Sequence, residues 1–335
     1  MAMAKQILAS RSKVESWKFA GLILTYWCSS RCAICYLGCC PDREAVFMSV
    51  SDALDYWQSL EAMAGAGAKV HLTGGEPFGN WPALLAILRA AQAKGLTAHE
   101  LETNAFWCTE REQVYQRCRQ LKELSIGRLV VSCDVYHQQY IPFERVELLI
   151  QVAQEVLGAN QIRIRWRDFF ANPLDISDLN EADRQRAYRD AWQKHHDRLT
   201  GRAAKLIAPL LGLQAAETFV GQDCHKAILA SRHVHIDPAG NVFPGVCAGL
   251  VVGNARYKKL AQIWDNLVHT EDEILLSLVR SGPYGLLQIA KGLGYRDDQM
   301  GFADKCHMCT EVRGFLLQTG RFESTIGPVM CYLEN

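Results

Sequence analysis

Thirteen of the 335 residues are cysteines, and most of them fall into two groups. Cys28, Cys32, Cys35, Cys39 and Cys40 form the first group; Cys224, Cys247, Cys306, Cys309 and Cys331 form the last. The first three have C-x3-C-x2-C spacing, which lets one short loop wrap a metal ion or a small iron–sulfur cluster. A structural zinc site takes four protein ligands. Three thiolates on a four-iron cubane instead leave one iron open to an outside ligand. With Cys39 or Cys40 as a fourth ligand, zinc and a ferredoxin-type cluster both stay open. Otherwise these two read as packing or loop residues. Cys224, Cys247, Cys306 and Cys309 make a second set of four, with Cys331 as a substitute for Cys247. A four-cysteine zinc site and plain core thiols are the alternatives there. His225 and His307 flank ligand candidates and read as their neighbours. Cys118, inside the helical pattern TEREQVYQRCRQLKEL, reads as a packing residue, as do Cys108 and Cys133.

The rest of the composition narrows the setting. Apolar residues make up 49% and charged residues 21%, which excludes a disordered chain. Lys plus Arg equals Asp plus Glu at 36 each, so nothing draws the whole molecule to nucleic acid or an anionic membrane. The opening MAMAKQILASRSKVESW has no apolar stretch of a secretory signal, and no apolar run reaches membrane-spanning length. The expectation is a cytoplasmic protein with reduced thiols, whose cysteines serve metal or redox chemistry.

The elements that must position these thiols alternate. FAGLILTYW is an apolar run ending at Cys28. VSDALDYWQSLEAMAGAG reads as a helix capped by Ser49 or Ser51 and stopped by Gly65 and Gly67. KVHLTGG is a strand. WPALLAILRAAQAKG is a helix with Pro82 in its first turn and Gly95 past its end. TAHELETN, RLVVSCD and QIRIRWRDF are further strands, with helices near 109–124 and 144–157. Five strands alternating with helices predict an α/β domain with a parallel sheet; a sixth strand has no place in this reading. Residues 174–215 read as a charged helical segment that connects or covers. HVHIDPAGNVFPGV reads as a hairpin and opens a second, smaller module. The expected division is 1–220 and 221–335.

CSSRCAIC after a strand resembles the signature of the radical S-adenosylmethionine (radical SAM) superfamily. Gly74, Gly75, Glu76 and Pro77, at the end of the second strand, resemble its GGEP segment. The resemblance implies that two glycines let the backbone approach the SAM amino group, to which Glu76 offers a carboxylate. Thr103 and Asn104 match a Thr-Asn-Gly sequence, with Ala105 in place of the glycine. Ser132 and Asp134 resemble a Ser-x-Asp segment near the SAM ribose and carboxylate; a solvated strand-end turn is the bland reading. His137 and Arg145 resemble loosely placed family positions. Arg163, Arg165 and Arg167 alternate along one strand, and either Arg165 meets a carboxylate or the row is a solvated rim. Ile34 stands where the family has an aromatic, with Tyr36 after the third cysteine. Further on, Gly240, Cys247, Gly253, Asn254, Ile263 and Trp264 resemble the SPASM and twitch extensions of this superfamily. Six residues rather than the usual four separate Gly240 from Cys247.

The resemblance implies a partial (β/α)6 TIM-like barrel followed by a small α+β domain, with the site at the C-terminal ends of the strands. Cys28, Cys32 and Cys35 would hold a 4Fe–4S cluster with one open iron, chelated by SAM. Reductive cleavage would give a 5′-deoxyadenosyl radical that takes a hydrogen atom from a substrate. Cys224, Cys247, Cys306 and Cys309 would hold one auxiliary 4Fe–4S cluster, for electron transfer or substrate binding. An oxidoreductase supplied by a flavodoxin- or ferredoxin-like reductant is expected. Only 27 residues precede Cys28, too few for a peptide-binding or cobalamin domain. A small-molecule substrate is therefore expected, with a peptide or protein side chain as runner-up. A non-enzymatic Fe–S or zinc protein is the remote alternative.

Overall fold

The computed structural model describes residues 16–297 and 301–332. The reading of the N-terminal leader falls largely on residues 1–15, outside the described residues. The strands are β1 (Phe19–Ile23), β2 (Lys69–Thr73), β3 (Glu100–Thr103), β4 (Arg128–Ser132), β5 (Ile162–Arg165), β6 (His233–Ile236), β7 (Asn241–Pro244) and β8 (Gly253–Asn254). The helices are α1 (Val50–Ala64), α2 (Trp81–Gln92), α3 (Arg111–Glu123), α4 (Val135–Gln138), α5 (Phe143–Val156), α6 (Arg167–Ala171), α7 (Glu181–His195), α8 (Arg202–Leu206), α9 (His225–Ile228), α10 (Leu260–Val268), α11 (Glu273–Gly292) and α12 (Lys305–Gln318).

All eight strands join one sheet in the order β5-β4-β3-β2-β1-β6-β7-β8. Strands β1 to β6 run parallel, and the sheet is not closed. This is the mixed α/β architecture of a partial TIM-like core. The helices form where the sequence signals put them. Ser49, not Ser51, caps α1 by accepting from Asp52 N at 3.0 Å. Asn80 caps α2, and Leu84, Leu85, Ile87, Leu88 and Ala91 bury its apolar face. Burying each of these Leu and Ile side chains contributes roughly 1.5–3 kcal/mol.

The sixth strand lies in the hairpin. β6 pairs with β7 antiparallel, as the hairpin reading expects, and its other edge pairs with β1 in parallel. Asp237 shapes the turn by accepting from Ala239 N and Asn241 N, and Gly240 sits at φ 85°. The sheet therefore runs through the expected boundary at 220. One expected pattern breaks: Arg167 is not on the arginine strand, because Trp166 adopts φ 59° and Arg167 starts α6. The 174–215 segment does cover: Tyr188, Leu199 and Ile207 pack with Cys32 and Ala33 in a second apolar cluster.

Candidate functional site

The cysteine loop leaves β1 and returns on itself. Trp27 bridges to Cys40, and Cys28 N donates to Cys40 O at 3.2 Å. Cys28 and Cys32 are buried and Cys35 is half-buried. The glycine segment is zipped directly to this loop: Gly75 N donates to Thr25 O at 2.7 Å and Glu76 N to Trp27 O at 2.9 Å. A Cβ on Gly74 would lie 2.6 Å from Thr25 O, and one on Gly75 only 1.9 Å from Trp27 O. The glycines are thus required for one stretch of this chain to approach another. This demand on the glycines stands beside the expected approach of a ligand.

Glu76 faces inward. Its carboxylate is fully buried and accepts from Phe78 N, Thr103 Oγ1 at 2.8 Å and Asn104 N at 2.7 Å. Burial pushes its pKa up to about 7 against those bonds. In this structure it ties the ends of β2 and β3 together, and the expected carboxylate offered to an ammonium is already engaged. Pro77 is buried in the short turn that follows. The Thr103 hydroxyl also accepts from Ala105 N and Trp107 Nε1. Asn104 donates to Ser29 Oγ at 3.1 Å, Ser30 Oγ at 3.3 Å and Cys28 Sγ at 3.7 Å. Ala105, in place of the family's glycine, sits at φ 67°, a region that favours glycine.

Asp134 is likewise turned inward. It caps α4, accepting from Tyr136 N and His137 N, and its other oxygen lies 2.7 Å from His137 Nδ1. His137 in turn interacts electrostatically with Cys32. Burial disfavours charge on this imidazole, but Asp134 and Cys32 outweigh it and raise the pKa. The loosely placed histidine is therefore a direct partner of the cysteine loop. Ser132 is half-buried and stands opposite Arg165 across β4 and β5. Arg165 pairs with Asp197 at 2.7 Å and lies over the Trp166 ring. The Arg145 guanidinium donates to the Phe106 carbonyl, tying α5 to the loop after β3.

Sequence reading missed the clamp beneath the loop. From α8, Arg202 donates to Cys32 O at 2.8 Å and Cys39 O at 2.6 Å, and its backbone N to Cys35 O at 3.1 Å. Gly201, at φ 57°, permits this approach: a Cβ there would lie 2.6 Å from Cys35 O. A hydrogen bond from the Cys39 thiol, aided by the Arg202 charge, overcomes burial and lowers Cys35 to about 5. Nothing in LTGRAAK points to a loop 163 or more residues earlier.

The second set comes from three elements. Cys224 precedes α9, Cys247 follows β7, and Cys306 and Cys309 lie in the first two turns of α12. All four are half-buried and interact electrostatically. Burial and the neighbouring sulfurs push Cys224 up to about 12 and raise Cys306 and Cys309. Fully buried Arg313 meets the Ala248 carbonyl, the Tyr332 hydroxyl and Cys309, so its charge faces sulfur. Arg198 Nη1 lies 3.8 Å from Cys247 Sγ. Cys331 is a correction: it is buried with Cys28, Cys39 and Tyr26, on the side of the first loop. A non-local fold placed it there, with Arg43 binding the adjacent Met330 carbonyl. The family-type residues of the second region act structurally, with Ile263 packed over Gly253 and Trp264 edge-on to Trp17.

A cavity of about 650 Å³ opens inside the sheet, from Tyr36 on the cysteine loop towards Lys69 at the start of β2. Arg163 and Arg165 line it, and Arg128 and Arg163 pair with Glu100.

No curated protein matches this chain. Among solved structures, it is similar to BtrN in complex with AdoMet and 2-DOIA, at 16% identity and TM-score 0.46, covering 75% of this chain and 83% of that one. It is similar to anSMEcpe with bound AdoMet at 13% identity and TM-score 0.47, covering 90% and 98%. It is similar to Streptococcus suis SuiB bound to precursor peptide SuiA at 13% identity and TM-score 0.40, covering 99% and 80%. Likeness at this level carries no argument about substrate. No helix among the described residues is long and apolar enough to cross a membrane. The Radical SAM superfamily model matches residues 22–157, the stretch from β1 to the end of α5 that contains the cysteine loop and every strand end wired to it, so the chain carries a radical SAM domain over these residues.

Proposed function

We propose that this protein is a radical SAM enzyme that reductively cleaves S-adenosylmethionine and takes a hydrogen atom from a small molecule, with an auxiliary cluster assisting. The observation that carries this reading is the wiring of the thiol loop to three strand ends through Gly75, Glu76, Asn104 and the Asp134–His137 pair. Three sulfurs on one loop, one of them with a thiol pKa lowered to about 5, form a donor set that fits a 4Fe–4S cluster. When bound, the cluster supplies the electron that splits the sulfonium bond and so generates the hydrogen-abstracting radical. Arg202 and Asn104 hold the loop in place. The inward bonds of Glu76, Thr103 and Asp134 fix the strand ends, so SAM would lie against the main chain at Gly74–Pro77 and Asn104, near Ser132. Arg145 and Arg165 would act through their partners Phe106 and Asp197.

Cys224, Cys247, Cys306 and Cys309 would hold the auxiliary 4Fe–4S cluster. Four thiols, three of them acted on by buried Arg313 and Cys306 by Arg198, fit an anionic group. Residues 221–335 would then be a twitch-like module that shares its first strand with the barrel sheet. A cavity of about 650 Å³ suits a small substrate, within the roughly 300–1,000 Å³ typical of ligand pockets.

The test is anaerobic reconstitution with iron and sulfide, an iron count, and an assay for 5′-deoxyadenosine on reduction. About eight irons with SAM cleavage are expected, from two four-iron clusters. About four irons with cleavage would remove the auxiliary cluster. Zinc without cleavage would overturn the enzymatic reading.

A further inference from the structure

Three imidazoles converge inside the sheet, apart from both cysteine sets. In register, Gly21 on β1 lies between His71 on β2 and His235 on β6. A Cβ at Gly21 would stand 2.3 Å from His71 Nε2 and 2.7 Å from His235 Nε2. The glycine is the gap through which side chains from the two strands flanking β1 meet. His233, two residues before His235 and on the same face of β6, brings its Nε2 to 3.0 Å from His71 Nε2. One nitrogen from each ring lies within 4.8 Å of the others.

Their outer partners set the tautomers. His71 Nδ1 lies 3.2 Å from Glu102 Oε1, and His235 Nδ1 meets the Gly245 carbonyl. Carboxylate and carbonyl oxygens only accept, so both rings carry hydrogen on Nδ1. When neutral, both therefore present a lone pair rather than a hydrogen at Nε2. Glu102 is itself held by the Thr73 hydroxyl at 2.6 Å. Ligating histidines show this pattern, with the far nitrogen donating to a carboxylate or carbonyl. Burial, with the neighbouring rings, holds His233 down at about 2 and His235 at about 4, so both stay neutral. The Tyr36 hydroxyl, 3.2 Å away, faces the lone pair of His235 Nε2. His71 Nε2 faces His233 Nε2 with no carboxylate between them.

We infer that His71, His233 and His235 form a binding site for a divalent metal ion of the zinc class, with its fourth position open to the cavity. Imidazole nitrogen suits zinc, copper, iron and nickel. Three protein ligands with one open position is the layout of a reactive metal site, not a closed structural one. Tetrahedral coordination at zinc–nitrogen bonds of about 2.0–2.1 Å sets the nitrogens about 3.3 Å apart; His71 and His233 already stand at 3.0 Å, and all three nitrogens lie within 4.8 Å. The site owes nothing to the thiols, so it stands or falls independently of the cluster reading.

The test uses untagged, cluster-containing full-length protein, equilibrated with one equivalent of zinc and desalted. Zinc-edge X-ray absorption is expected to show one retained zinc with imidazole scatterers near about 2.0–2.1 Å, rather than sulfur near about 2.3 Å. His233→Gln, at a half-buried position, should weaken zinc retention at least tenfold while iron per chain is unchanged. Gly21→Ser should do the same by closing the gap on β1, which guards against a single misfolded variant. No retained zinc, a sulfur-only shell, or a nitrogen shell that survives in both variants would overturn the site.

Discussion

At the residue scale, the family-type motif residues bind each other as much as they could bind anything else. Gly75 shows why: its backbone lies too near Trp27 for any side chain. Gly75→Ala must push the cysteine loop away from β2, at a cost on the order of 1–3 kcal/mol. We expect a lower melting temperature and less iron per chain after reconstitution. Gly67→Ala, where a Cβ meets nothing within 4 Å, is the matched control. Equal behaviour of the two variants would refute the zipper. Arg202→Lys keeps the charge but loses the fork that spans the Cys32 and Cys39 carbonyls. Its cluster should be stripped by a chelator several times faster than in wild type, with circular dichroism unchanged; equal rates would show that Arg202 does not hold the loop.

At the element scale, α11 carries the clearest constraint. Gly282 interrupts it at φ 67°, ψ −161°, next to Pro283, and a Cβ there would lie 2.0 Å from Gln222 O. That backbone region is essentially restricted to glycine. The kink lets residues 222–223 approach the helix, and Cys224 N donates to Leu278 O at 2.9 Å. Gly282→Ala should cost on the order of 1–3 kcal/mol in urea unfolding. Gly292→Ala, in the same helix with open space around it, should be neutral or gain up to about 1 kcal/mol. If both changes are neutral, the kink does not position Cys224.

At the scale of the whole molecule, the sheet joins what the sequence separates. β6 covers β1 over four residue pairs although it lies beyond residue 220. A fragment of residues 1–220 would expose the β1 edge and the apolar face packed behind it. It should aggregate or lack a cooperative melt. A cooperative melt from that fragment would mean that the barrel is complete without β6.

The sequence alone determined the chemistry-bearing loop, the five strands and their helices, and the order of motifs at the strand ends. Each is a local signal: C-x3-C-x2-C within one loop, apolar periodicity within one element, Ser49 or Asn80 at one cap. Only the tertiary structure decided which groups meet across long stretches of chain. Arg202 reaches Cys32 across 170 residues and His71 meets His233 across 162. Cys331 leaves the second cysteine set for the first loop, and β6 gains its second partner. A residue's type and spacing reveal what it can bond. Which partner it finds depends on how the whole chain buries its apolar faces, and no local window contains that.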